Sequence, residues 1–345
     1  MARVFDLTVC LRPFRAEGPR LDVEPIGDAT IVHNYGHGGS GWSLSWGSST
    51  VAVERAMSSS PSEIAVVGCG ALGLTSAILA QRAGAKVTIY ARDLLPETRS
   101  ARATGTWTPD SRIALADKAA PNFAALWERM ARTSFKTYRS YLGLPGSPVQ
   151  WMDRYIVAGG PDVVRAPPGG LDFADLQDRI QDISPGPVTL PDGATPFAAT
   201  GVRRFTTMQF NLADYGHTLM SDFLAAGGQV QRAEFHAPAE IAALKEKVVI
   251  NCPGYGARAL WRDESIVPVR GQIAWLIPQP EVTYGLVWDG VNMVSRSDGV
   301  CVQLLDGGDM QGYGVDNETP DRDEARKGVA RLASLYARAL PPGPA

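Results

Sequence analysis

No apolar run in this 345-residue chain reaches the roughly 20 residues that a membrane-crossing helix needs, so no membrane partner is expected. Cysteine is scarce. The four present (Cys10, Cys69, Cys252, Cys301) form no C-x-x-C pair and show no Cys/His ligand spacing. That argues against a metal site or a disulfide scaffold and suits reduced thiols. Long basic runs are missing and the net charge is -3, so nucleic acid is not an expected partner either. Residues 1–15 lack the apolar core and cleavage site of a signal peptide, and residues 341–345 carry no Ser-Lys-Leu peroxisomal address. A cytoplasmic location is the resulting expectation. Internal repeats and low-complexity tracts are absent as well. What the chain does have is length and 45% hydrophobic residues, enough for two packed lobes.

The strongest local signal lies at Val66-Val67-Gly68-Cys69-Gly70-Ala71-Leu72-Gly73. A short β-branched run, 64–67, opens directly into a G-x-G-x-x-G loop; residues 72–83 have helical composition, and Gly84 stops them. Residues 86–90 (Lys-Val-Thr-Ile-Tyr) read as a second strand. This βαβ setting gives the glycines their meaning. Gly68 permits a tight turn, Gly70 lets the backbone approach a pyrophosphate, and Gly73 lets the helix pack close to the sheet. The helix N-terminus then faces the phosphates with free N–H groups. The motif leaves FAD and NAD both open. An acid for the ribose is expected at Asp93, beside Arg92.

Elsewhere the pattern predicts an amphipathic helix over 113–140, with Phe123, Leu126, Met130 and Phe135 at helical spacing. Residues 161–196 are rich in Pro, Gly and Asp and read as loops with a short helix at 173–180. Residues 212–226 predict a helix ended by Gly227-Gly228, and 247–254 a buried strand running into a glycine turn. Residues 272–277 and 300–305 read as strands of a more antiparallel sheet, and 321–340 as a charged helix. The polar stretch 57–62 reads as a linker, preceded by a helix over 49–57.

Residues 33–47 read His-Asn-Tyr-Gly-His-Gly-Gly-Ser-Gly-Trp-Ser-Leu-Ser-Trp-Gly. This stretch closely resembles the C-terminal flavin loop of the D-amino-acid oxidase and glycine oxidase family, and the 66–73 loop resembles that family's N-terminal signature. Four more segments fit. Residues 101–109 (Ala-Arg-Ala-Thr-Gly-Thr-Trp-Thr-Pro) look like the segment that closes over the flavin. Residues 249–260 resemble the family's Val-Asn-Cys-Thr-Gly segment, and 269–273 its Gly-Arg-Gly-Gln-Ile. The strand Leu7-Thr8-Val9-Cys10-Leu11-Arg12-Pro13-Phe14-Arg15 resembles its Val-Gly-Leu-Arg-Pro-Val-Arg-Pro. The charged helix that precedes this strand in the family ends the chain here. The chain therefore looks like a circular permutant, with 57–62 as the new join and Met1 expected to lie near Ala345.

The resemblance implies an α/β fold. A Rossmann-type FAD-binding lobe (18–112 and 201–265) is expected beside a mixed or antiparallel-sheet substrate lobe (1–17, 113–200 and 266–345). It implies non-covalent FAD, an amino-acid-like substrate and O2 as acceptor, and it says nothing of the oligomer. The implied activity is an oxidase of an amino acid or an N-substituted amino acid such as an N-substituted glycine. In that activity hydride passes from Cα to the flavin and H2O2 is released. A flavin dehydrogenase with another acceptor, and a non-catalytic flavin-binding protein, remain the alternatives. Arg12 matches the family's carboxylate clamp, a role that suits a planar guanidinium fork; its alternative is a structural arginine. The loop Gly38, Gly39, Ser40, Gly41, Trp42 and Ser43 would wrap the ring, with the Gly39 carbonyl receiving the substrate amine. Thr104, Gly105 and Trp107 would join the cofactor contacts. His33 and His37 suit structural hydrogen bonds better than catalysis. Where mammalian members place two tyrosines over the substrate, this chain has Trp288 and Asn292, so a changed lid is expected there. Trp288 could equally be a core aromatic.

Overall fold

Two sheets organise the computed structural model, which describes residues 3–158, 170–195 and 197–337. From its start the chain forms β1 (Val4–Arg15), β2 (Val23–Ile26), β3 (Ala29–His33), β4 (Glu63–Val67), β5 (Lys86–Ala91), β6 (Val149–Ile156) and β7 (Val188–Thr189). Then come β8 (Arg203–Phe210), β9 (Gln229–Arg232), β10 (Val248–Asn251), β11 (Ile266–Leu276), β12 (Gly285–Trp288), β13 (Val291–Arg296) and β14 (Gly299–Leu304). The helices are α1 (Gly41–Ala56), α2 (Ala71–Arg82), α3 (Phe123–Tyr138), α4 (Leu212–Ala225), α5 (Pro238–Ala242), α6 (Ala257–Leu260) and α7 (Arg322–Tyr336).

The six-stranded sheet runs β2-β3-β10-β4-β5-β9. Five of its strands are parallel, with β2 antiparallel at the edge. Parallel strands buried on both faces read as apolar runs, and β4 and β10 do so. One face packs against α1, α2 and α4 through Val66, Ile89, Leu74 and Phe223, and the other carries Ile31, Val249 and Ile241. The eight-stranded sheet runs β1-β11-β14-β13-β12-β6-β8-β7 and is mostly antiparallel. Its strand β1 pairs with β11 from Val4↔Leu276 to Arg15↔Ile266.

Register decides what each face of the larger sheet carries, because directly paired residues share a face and neighbours along a strand alternate. Leu286, Trp288, Met293 and Val302 point to one side and form a core with Leu332 of α7. Cys10 pairs with Gly271, Asn292 with Gln303 and with Val287, and Arg154 with Gly285 and Phe205. These residues occupy the opposite side. Trp288 is therefore a buried core aromatic on the α7 side, facing away from Asn292, and the geometry does not suit the lid role expected for it.

Several expected boundaries move. Strand β8 falls within the 201–265 span assigned to the FAD lobe, yet it pairs with β6 in the eight-stranded sheet. The helix expected over 113–140 begins only at Phe123; Pro121, lacking an N–H and fixing its own φ, stands just before it. The helix expected over 173–180 is one 3-10 turn, Gln177–Ile180. The largest surprise is α1, which begins at Gly41 instead of residue 49. Glycines and serines are poor helix formers, but burial on nearly all sides offsets that here. A Cβ on Gly47 would lie 2.0 Å from the Met130 carbonyl oxygen, so α1 and α3 meet only because side chains are absent. The buried serines find partners: Ser45 Oγ lies 2.9 Å from Tyr138 Oη, and Ser49 Oγ lies 2.8 Å from Thr75 Oγ1. The end of the helix expected over 321–340 lies partly outside the described residues.

Candidate active site

The turn after β4 opens a cavity of about 450 Å³ between the two sheets. Gly68 has φ +97°, and a Cβ there would lie 2.3 Å from the Cys252 carbonyl oxygen. A Cβ on Gly73 would come within 2.0 Å of the Gly68 carbonyl oxygen. Gly70 precedes α2 with no side-chain cap, and α2 has no acidic residue in its first turn. The backbone at Gly70, Ala71 and Leu72 lines the cavity. One N–H of this turn, that of Ala71, takes Ser100 Oγ at 3.2 Å. At the end of β5, Arg92 and Asp93 also line the cavity and pair with each other at 2.8 Å. Arg92 also reaches Glu234 at 3.1 Å and holds the Asp93 carboxyl below its usual range.

A second helix N-terminus opens on the same space. Gly38, Gly39, Gly41, Trp42 and Ser43 line it, whereas Ser40 turns away and donates to the Ser111 carbonyl at 3.0 Å. Gly38 has φ +53°, and a Cβ there would lie 1.9 Å from the Arg112 carbonyl oxygen. Ser43 Oγ accepts the Thr108 N–H at 2.8 Å, tying this loop to the segment that carries Thr104, Gly105 and Thr106. Trp107 is buried behind that segment and does not line the cavity.

His37 lies in the cavity wall with Nε2 2.7 Å from Ser48 Oγ. Ser48 spends its own proton on Asn34 Oδ1 at 2.7 Å, so His37 Nε2 is the donor and Nδ1 keeps a lone pair. That Nδ1 is buried without a protein partner among the described residues. Burial pushes the imidazole down to about 3, so it is neutral at physiological pH and supplies no proton. His33 is bracketed by Glu24 Oε2 at 2.9 Å and Asn251 Nδ2 at 3.1 Å, a structural arrangement.

Arg12 lines the cavity on the sheet's inner face, its guanidinium resting over Gly271, where a Cβ would lie 2.4 Å from Nη2. Its protein contact is weak, an Nη1 bond to the Arg270 carbonyl at 3.5 Å. No carboxylate pairs with it among the described residues, and burial pushes the guanidinium down. Of the other arginines, Arg102 lines the same cavity and donates to the Val9 carbonyl at 3.2 Å, whereas Arg15, Arg296 and Arg112 are held by other partners. Arg15 lies 3.7 Å from Asp263, and Arg296 is chelated by Asp298. Arg112, near Arg12 and pushed down to about 10 by burial, is held by the carbonyls of Gly308 and Asp309. Asn292 lies on the same face as Arg12 and accepts a bond from Arg154. Sequence reasoning missed Arg154, although an arginine in phase with buried Met152 on a strand was a signal available to it.

The profile of the family described as FAD dependent oxidoreductase matches residues 63–343. The chain belongs to that family. Among relatives of this FAD-dependent oxidoreductase is a D-amino-acid oxidase of Streptomyces coelicolor, 29% identical over 287 residues, 79% of this chain and 77% of that protein. A D-amino-acid oxidase of Dictyostelium discoideum is 25% identical over 79% of this chain and 73% of its own length. Two solved structures of L-amino acid deaminase from Proteus vulgaris superpose with a TM-score of 0.51 each. They are 14% and 11% identical and cover 80% of this chain, and 75% and 79% of theirs. At such identities the likeness is one of fold.

The cofactor is FAD, and the residues present fit it. Two helix N-termini without acidic first turns face one cavity, as a pyrophosphate and an electron-rich ring edge require. At Gly38, Gly68 and Gly73 any Cβ would collide with backbone, and the lone pair of His37 Nδ1 has no protein donor among the described residues. Among the described residues no helix is long and apolar enough to cross a membrane.

Proposed function

We propose that the protein oxidises an amino acid or N-substituted amino acid, such as an N-substituted glycine, at its Cα–N bond. Oxygen is the final acceptor and hydrogen peroxide the product. One observation carries this reading: Arg12 is a cation in the wall of the flavin cavity with no carboxylate beside it among the described residues. A substrate carboxylate supplies the missing charge through two parallel hydrogen bonds. The names of the relatives, D-amino-acid oxidases, support the same substrate class.

When bound, FAD would supply the redox chemistry, accepting a hydride from Cα and returning its two electrons to oxygen. The chain's own part is positioning. Arg12 fixes the carboxylate, and the Gly39 carbonyl accepts a hydrogen bond from the amine. The N–H groups of Trp42 and Ser43, which line the cavity, would hold the flavin and stabilise negative charge on it. Neither His37 nor His33 moves a proton, and the amine enters neutral. The flavin is held without a covalent bond. The thiols of Cys69 and Cys252 are pushed up to about 12 by burial, and that of Cys10 is raised too, so none offers a thiolate.

The chain order is part of the proposal. Residues 1–62 precede the span matched by the family profile, yet they contribute Arg12 and the Gly38–Ser43 loop to the same cavity. Val4 and Leu7 near one end share a core with Leu335 near the other, which supports a rotated order. The expected proximity of Met1 and Ala345 lies outside the described residues. Anaerobic mixing with a panel of D- and L-amino acids and N-alkylglycines tests the activity. Bleaching of the flavin by an acid substrate, then air reoxidation with one peroxide per turnover, is expected. Reoxidation only by an added dye would point to a dehydrogenase, and no bleaching with any member would overturn the reading.

A further inference from the structure

Gln303 stands in the wall of the flavin cavity, on β14 of the larger sheet, with its residue 5% exposed. At that depth a side-chain amide ordinarily spends its hydrogen bonds inside the protein. The buried amides around it do so. Gln272 of β11 donates to the Asp321 carbonyl at 2.7 Å and accepts from Asp321 N–H and Arg270. Gln209 of β8 donates to the Thr104 carbonyl at 2.9 Å and accepts from Thr106, and Asn292, directly across on β13, accepts from Arg154. The Gln303 amide has no such protein partner among the described residues, and the exposure it keeps is toward the cavity it lines.

The register places this amide within reach of whatever Arg12 holds. Gln303 pairs with Asn292 and Gly271 with Cys10, all on the face of the sheet that bears Arg12. Gln303 is the next residue along β14 after the Ala274↔Val302 pair, which sets it opposite Ile273, another wall residue, and diagonal to Gly271. On a regular ladder that diagonal spans about 8 Å between Cα atoms. The Arg12 guanidinium rests over Gly271. The glycine turns at 38–43 and 68–73, which suit the cofactor, belong to the other sheet's connections. A substrate therefore lies between the flavin and the eight-stranded sheet, and a short side chain closes the gap from a carboxylate at Arg12 to the Gln303 amide.

We propose that Gln303 is a specificity-determining residue, whose amide receives the substrate's side chain and selects a neutral hydrogen-bonding group there over a hydrocarbon of the same shape. The inference rests on the reading of Arg12 as the carboxylate clamp, which fixes the end of the substrate from which Gln303 is reached. An amide offers two donors and one acceptor oxygen, so it matches a group that both donates and accepts. A hydrocarbon in that place strips water from the amide and returns no hydrogen bond, and a site built to hydrogen-bond its ligand discriminates strongly for that reason.

The test uses the FAD-loaded protein and acids that lack an amine and so cannot be oxidised. Succinamate and 4-methylpentanoate share a skeleton and differ in ending in an amide or in a pair of methyl groups. Each is titrated with the flavin absorbance shift and calorimetry reporting binding. Succinamate is expected to bind about 5- to 100-fold more tightly, the range set by one buried hydrogen-bonding group left unpaired. Gln303→Met keeps the length of the side chain and removes the amide; it should cancel or reverse the preference while FAD occupancy stays unchanged. In turnover, asparagine is expected to exceed leucine of the same configuration in kcat/KM by a similar factor. Equal or inverted affinities in the unaltered protein overturn the proposal without recourse to a variant. A Gln303→Met protein that keeps the preference overturns it too, and one that loses its flavin assigns the amide to the cofactor instead. Arg12→Gln separates the underlying reading, since it should weaken both acids alike. If both bind that variant undiminished the clamp is wrong, even where the preference for the amide persists. No binding of either acid by the unaltered protein refutes the clamp and this proposal with it.

Discussion

Replacing Arg12 by alanine removes the charge on which the functional reading depends, and the structure sets the scale of the effect. The guanidinium has one long contact with the protein, 3.5 Å to the Arg270 carbonyl, and no carboxylate partner among the described residues. Little folding energy is therefore lost with it. Relief of its burial offsets the lost packing over Gly271, so the melting temperature should change little. Binding is different. Truncating one side of a buried, hydrogen-bonded charge pair costs about 2–5 kcal/mol, and the substrate loses its alignment as well. That corresponds to roughly a 30- to 4,000-fold fall in kcat/KM. Lysine should recover only part, because a point charge cannot reproduce the fork. The assay pairs steady-state kinetics on the best acid substrate with flavin occupancy read from the absorbance ratio. Kinetics within threefold of the unaltered protein would refute the clamp. Loss of flavin with retained fold would assign Arg12 to the cofactor instead.

Two other perturbations follow from the same geometry. Gly38→Ala puts a Cβ 1.9 Å from the Arg112 carbonyl oxygen at a backbone φ of +53°; the purified protein should be largely free of flavin, and normal FAD occupancy would show that the loop adapts. His37 is held neutral in the fold, with its ionisation pushed down to about 3 from an ordinary value of 6.5. Its stabilising contribution is therefore complete above pH 6.5 and is lost as pH falls toward 3, because the unfolded chain takes up the proton first. His37→Gln should flatten that part of the urea-stability profile, and an unchanged acid limb would show that another group sets it.

Much of this protein is legible in its sequence because the signals are local. The βαβ unit at 63–91 needs only a β-branched strand, three glycines at fixed spacing and a helix with a stop, and each of these is a short-range pattern. The family resemblance of 33–47, 66–73 and 269–273 likewise resides in contiguous residues, and it names FAD before any contact is known. Other features depend on partners distant in the chain. Helix α1 starts at Gly41 against the propensity of its own residues, because Met130 of α3 leaves room for nothing larger than Gly47. Strands β2 and β3 carry too few residues to declare themselves and are set by pairing with each other and with β10. Trp288 and Asn292 look equivalent in sequence, four residues apart. The hairpin between β12 and β13 sends one to the α7 core and the other to the inner face. Arg154 is the clearest case. In the chain only its phase with buried Met152 marks it, and the absence of a carboxylate beside it among the described residues emerges only when β6, β12 and β13 assemble. The sequence by itself determined the cofactor, the nucleotide-binding unit and a candidate clamp, since each is encoded in residues that neighbour one another. Only the tertiary structure decided which arginines are neutralised and which face the cavity, because charge compensation is a property of residues brought together from distant parts of the chain.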